Sequence, residues 1–102
     1  MEQITRENGY TSIDFVINLG LEPGCMRPSF RIFERCRDYG RRICVKDAKD
    51  DKVYDCKTPW GAVQLPFLHK RKVQVCAEGE DKSAEEIVQF VYFNLTCGAG
   101  GA

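Results

Sequence analysis

The chain has 102 residues, with 15 basic and 15 acidic side chains, one histidine and six cysteines. Its length implies one domain, and an apolar fraction of 43% beside 29% charged residues excludes disordered, collagen-like and membrane-spanning classes. A formal net charge of zero argues against a dedicated nucleic-acid binder, because counterion release needs a surplus of Lys and Arg facing the phosphates.

Residues 1–9 are polar and end in the turn signal Asn8-Gly9, so a flexible N-terminal arm is expected there. A single disulfide-rich β domain is then expected over 10–97, with residues 98–102 as a flexible tail. From Tyr10 to Leu19, Ile13, Phe15, Ile17 and Leu19 alternate with Ser12, Asp14, Val16 and Asn18, the period-two pattern of a half-buried strand. Gly20 and Glu22-Pro23-Gly24 end it. After Pro28, Phe30, Ile32 and Glu34 alternate with Arg31, Phe33 and Arg35, which predicts a second strand closed by the turn Asp38-Tyr39-Gly40.

Arg42–Lys46 and Lys52–Cys56 read as two further strands joined by the polar turn Asp47–Asp51. That turn lacks the glycine and the bidentate glutamate of a calcium loop, so no metal site is expected in it. In 58–68, Pro59, Gly61 and Pro66 oppose a regular helix or a central strand. This apolar connector either plugs an open end of the sheet or presents Trp60 and Phe67 as an exposed contact. The burial habit of large aromatics in small domains favours the plug.

Lys72–Cys76 alternates again as a fifth strand. Ser83 to Cys97 supports two readings. Ser83-Ala84-Glu85-Glu86 spells a capping box, whereas the β-branched and aromatic run IVQFVYF favours a long strand paired with 72–77. The strand reading is adopted. The expected fold is therefore all-β and mainly antiparallel: a small disulfide-stapled β-sandwich, or an OB-like or netrin-like β-barrel of five to six strands with room for one C-terminal helix.

Cys25, Cys36, Cys44, Cys56, Cys76 and Cys97 are separated by 10, 7, 11, 19 and 20 residues. No pair has the C-x2-C spacing of a zinc site or the C-x-x-C spacing of a redox enzyme, so three disulfides are expected. Spacing does not choose among the pairings. Disulfides imply a secreted, extracellular protein, and the sequon Asn94-Leu95-Thr96 suggests a glycoprotein, with Asn94 as the acceptor. Residues 1–6 lack a basic n-region and an apolar h-region, so Met1 reads as a start added to a processed chain.

Catalytic material is sparse. His69, the one imidazole, is followed by Lys70-Arg71-Lys72, a poor setting for a general base. Nucleophile-elbow and phosphate-loop motifs are missing. No enzyme activity and no cofactor are therefore expected, and the leading reading is a secreted protein-binding module, an inhibitor, decoy or immune-modulating factor with an extracellular protein partner. The partner-binding candidates are Trp60, Phe67, Arg31, Arg35, Arg37, Arg41 and Arg42. The alternative is binding of a sulfated, anionic glycan through the Arg-rich 27–46 segment, helped by Lys70 to Lys72 if these cations share a face.

A small secreted barrel with several disulfides resembles the netrin-like modules, the group that includes metalloproteinase inhibitors. Inhibitory members begin with a Cys-x-Cys start. This chain begins Met1-Glu2-Gln3 with no cysteine before Cys25, so the resemblance implies the barrel alone, without metal chelation by an N-terminal cysteine.

Overall fold

Asn8 and Gly9 both take positive φ, 56° and 82°, as a two-residue type I′ turn requires. They join β1 (Ile4–Glu7) to β2 (Tyr10–Val16) in register from Glu7↔Tyr10 to Ile4↔Ile13. The expected N-terminal arm therefore contains an edge strand. In this computed structural model, which describes residues 3–19 and 27–96, β3 (Ile43–Asp47), β4 (Val53–Asp55) and β5 (Lys72–Glu78) complete a five-stranded antiparallel sheet of order β1-β2-β5-β3-β4. The alternation read from the sequence locates β2, β3, β4 and β5. Ile13, Phe15, Ile43, Val45, Val73, Val75 and Ala77 face the core from these strands.

One face of the sheet is covered by helices, and this overturns the all-β expectation. The fold is α/β, and neither a β-sandwich nor an OB-like or netrin-like barrel. Residues 27–36 form α1 (Arg27–Cys36). The alternation there misled because its period-two set is not buried together: Ile32 is buried and Phe30 is 67% exposed. Ser29, Ile32 and Cys36 are the buried residues, the spacing of one helical face.

Pro59 and Pro66 do not prevent helix either, because both stand in a first turn, where a missing N–H costs nothing. Thr58 caps α2 (Pro59–Val63) by accepting the Gly61 N–H at 3.0 Å, and a 3₁₀ turn follows over Leu65–Leu68. A Cβ on Gly61 would lie 2.0 Å from the Asp55 carbonyl oxygen, so only glycine lets α2 sit so close to the end of β4.

Lys82–Thr96 is a helix, α3, where a strand was expected. As a strand it would present Ile87, Val91 and Leu95 on one side and Val88, Phe90 and Tyr92 on the other, needing cover on both. As a helix it places Ala84, Ile87, Val88, Val91 and Leu95 together in the core. Its cap is Asp81, whose Oδ1 accepts the Ala84 N–H at 3.1 Å, two residues ahead of the predicted Ser83. β5 pairs with β2 and β3, so no hairpin joins it to the C-terminal segment.

The three-disulfide framework is also overturned. Cys36, Cys44, Cys56 and Cys76 are free thiols, whereas three bridges need all six cysteines; Cys25 and Cys97 lie outside the described residues. Cys36 and Cys56 are buried against each other. Cys44 and Cys76 are register partners on β3 and β5, half-exposed on the face opposite the helices. The argument for a secreted, extracellular protein rested on those bridges and falls with them. Asn94 stands on α3 and donates from Nδ2 to the Phe90 carbonyl at 2.9 Å, so the sequon lies in helix and its glycoprotein reading loses its context. No described helix is long and apolar enough to cross a membrane.

Candidate functional site

Residues of α1 and α2 bound a cleft of about 560 Å³, with Phe30, Phe33, Trp60 and Val63 among its walls. Local sequence explains how it forms. The Thr58 cap and Pro59 fix where α2 begins, and Gly61 presses it onto Asp55, which turns Trp60 outward. Trp60 is 73% exposed. Gln64 Nε2 donates to the Trp60 carbonyl at 3.0 Å and ties off the short helix. On the facing side, Phe30 stands exposed while Glu34 and Arg37 line the edge. Arg37 lies 5.8 Å from the Phe33 ring centroid, a cation–π contact that keeps its charge near the apolar wall.

Ser29 adds a polar feature. It lines the cleft and is buried, yet its Oγ has no hydrogen-bond partner. Leaving a buried hydroxyl unpaired costs about 1–3 kcal/mol, and such an orphan is explained when a ligand or partner group completes it.

The predicted site residues do not converge. Trp60 belongs to the cleft and Phe67, 76% exposed on the 3₁₀ turn, is also presented to solvent, while Ala62, Leu65 and Leu68 of the same connector are buried in the core, so the segment plugs the core with its aliphatic residues and exposes its two large aromatics. Arg37 joins the cleft wall. Arg31 is exposed on α1, and Arg35 lies over the Phe90 ring at 5.9 Å. Arg41 holds Asp81 at 3.0 Å and lies 5.0 Å from the Tyr39 ring centroid. The Arg42 backbone N–H binds Glu78 Oε1 at 3.2 Å.

Arg41 and Arg42 therefore sit at the start of β3, whereas Lys70–Lys72 lie beside Asp47 at its end. The shared cationic face that a sulfated glycan would need is not formed. Ser29, Phe30, Phe33, Ala62 and Val63 were missed because both segments were denied a helix. The Ser29, Ile32, Cys36 spacing was the available signal.

His69 is half-buried, and its Nδ1 accepts the Leu19 N–H at 3.1 Å. In the neutral ring the proton is then on Nε2 and the basic lone pair is occupied. The described residues contain no group of three or more His, Cys, Asp or Glu able to hold a metal.

Around the thiols, burial pushes Cys44 up from its ordinary pKa, with neighbouring Cys76 adding to it. Burial likewise raises Cys76. Cys56 is raised well above the ordinary value, first by its hydrogen bond with Cys36 and then by burial. All three are poor thiolates near neutrality.

No protein-family model matches the chain, and no curated protein sequence matches it. Among solved structures it is similar to the histidine-containing phosphocarrier protein, described in connection with the evolutionary divergence of Mycoplasma from Gram-positive bacteria. The two share 14% identity over 86% of this chain and 94% of the other, with a TM-score of 0.63. That likeness is one of fold. It confirms the α/β arrangement and, with the free thiols, sets aside the reading as a secreted inhibitor or decoy with an extracellular or glycan partner.

Proposed function

We propose that this domain is a non-enzymatic docking module that seats one large apolar side chain of an acidic protein segment in the cleft between α1 and α2. The observation that carries the reading is the cleft itself: exposed Trp60 and Phe30 stand at an apolar hollow of about 560 Å³ whose one buried hydroxyl, Ser29 Oγ, lacks a partner. Trp anchors and well-packed pockets dominate interface energetics. Charge favours an acidic segment, because Arg27, Arg31 and, at the cleft wall, Arg37 are exposed at and just beyond α1 against one acid of the cleft, Glu34, while Arg35 and Asp38 belong to a different hollow.

The phosphocarrier named above hands on a phosphoryl group, as its name says. The one imidazole here has its basic lone pair engaged by Leu19, so phosphoryl transfer forms no part of the proposal.

The test is selection from a displayed random-peptide library against the wild-type protein, followed by binding to the Phe30→Ala/Trp60→Ala variant. Acidic peptides with a single large apolar residue are expected to emerge and to lose at least tenfold in affinity on the variant. Selected peptides that bind both proteins equally would sink the reading.

A further inference from the structure

A second hollow, of about 500 Å³, opens at the far end of β3 and is lined by Asp47, Ala48, Lys49, Lys70, Arg71 and Lys72. Four of these six are cations. Two chain segments bring them together. The first leaves β3 and is tied across by the Ala48 N–H to the Lys72 carbonyl at 3.0 Å; the second enters β5 and is held by the Lys70 N–H to the Ile17 carbonyl at 2.7 Å. Lys70 takes φ of 69°, a left-handed conformation uncommon outside glycine.

Within the hollow the charges have different standing. Asp47 is 1% exposed and accepts the Lys49 N–H on Oδ1 at 2.9 Å. Its Oδ2 lies 2.9 Å from Arg71 Nη2 but outside hydrogen-bond alignment, so the two are paired by charge. One acid thus neutralises Arg71 and anchors one end of its guanidinium, leaving the other N–H donors for a ligand. Lys49, Lys70 and Lys72 have no carboxylate partner among the described residues, in a molecule of net charge zero. Three unpaired ammonium groups around one hollow repel each other until an anion arrives.

We propose that this hollow binds a small soluble phosphate monoester, with Lys49, Lys70 and Lys72 taking the phosphate charge and Arg71, positioned by Asp47, donating hydrogen bonds to its oxygens. A phosphate dianion matches the surplus charge better than a single carboxylate and offers several strong acceptors. The volume lies within the roughly 300–1,000 Å³ of small-molecule sites. A nucleic acid would need a continuous basic track, and beyond this hollow lie Asp14 and Asp51.

The test is an amide-resolved NMR titration at constant ionic strength with inorganic phosphate and with glycerol 3-phosphate, sodium chloride serving as the blank. Saturable shifts confined to Ala48, Lys49 and Lys70–Lys72 are expected. Lys70→Gln/Lys72→Gln changes exposed side chains only and should weaken binding at least tenfold, whereas Arg42→Gln/Lys82→Gln, with equal charge lost elsewhere, should change it less than twofold. Equal weakening by the two variants would reduce the effect to diffuse electrostatics and overturn the site, as would unsaturable shifts. A parallel arm uses phosphatidylcholine vesicles with and without phosphatidic acid. Binding to the acidic vesicles with no response to the soluble phosphates would assign the hollow to a lipid headgroup and overturn the proposal as stated.

Discussion

The two ends of the helical layer are built to different standards. Around α3 the inner face and the N-terminal cap close, and of its aromatic residues Phe93 alone is largely exposed. Ile87, Val88, Val91 and Leu95 are buried on β2 and β5, and Asp81 caps the helix while Arg41 holds the cap. Arg6 reaches Glu85 from the edge strand, and Tyr92 meets Phe15 edge-on at 4.9 Å. Around α1 and α2 the opposite holds: a five-residue helix, exposed aromatics and a buried hydroxyl without a partner. The first half stores stability and the second spends it on a surface, the division expected when recognition is drawn from the less stable part of a small domain.

The comparison breaks most directly by truncating large side chains in each half. Ile87→Ala should cost about 2–5 kcal/mol, through lost transfer energy and the cavity left behind. Trp60→Ala should stay within about 0.5 kcal/mol, since its ring is exposed. Urea denaturation measures both. A Trp60→Ala loss approaching that of Ile87→Ala would make the tryptophan structural and remove the anchor from the docking reading.

Gly61 sharpens the comparison, because it is where the loosely built half depends on a tight contact. Gly61→Ala would drive a methyl group onto the Asp55 carbonyl, and α2 must lift from β4 at a cost of about 1–3 kcal/mol. The cleft opens with it. Library-selected peptides should therefore bind Gly61→Ala more weakly than the wild type even at temperatures where both proteins are fully folded. Unchanged affinity would show that α2's seat does not shape the cleft.

How much of this was legible depended on whether one periodicity decided the matter. β2 and β5 were readable because their apolar residues strictly alternate and one sheet face is covered. α3 was ambiguous because β-branched and aromatic residues at 87–93 fit either period locally; burial on one face decided it, and that is a tertiary fact. In α1, Phe30 supplied a false alternation, for it is apolar and outward-facing, as a contact residue is. The cysteine count misled in a similar way. Buried Cys36 and Cys56 act as small apolar core residues, and nothing in their spacing distinguishes that from bridging. The basic hollow was half visible as Lys70-Arg71-Lys72, but its partners Asp47 and Lys49 arrive through strand pairing.

Asp81 offers a smaller effect, on the stable side. The Ala84 N–H, then Arg41, holds its carboxyl below the usual carboxylate range. A depressed acid stabilises the fold above its unfolded pKa of about 3.9, and the contribution is lost as pH falls through the folded value. Asp81→Ala should accordingly lower the Tm by roughly 4 °C at pH 7, and the gap to wild type should close below about pH 4. A gap that persists in acid would mean that the cap acts through packing rather than through charge.

The smallest perturbation is chemical, and it reads the looser half without altering it. Cys36 ends α1 and Cys56 lies just ahead of α2, so the buried thiol pair sits under the docking side. Cys56 is held protonated by Cys36 and by burial, which leaves opening of this region as the route to alkylation. Iodoacetamide at neutral pH without reductant should label Cys36 and Cys56 slowly and together. The opening free energy extracted from the rate should fall below that of the α3 amides in hydrogen exchange. Equal opening energies would mean that the layer unfolds as one unit, and the contrast between its halves would then be one of surface rather than of stability.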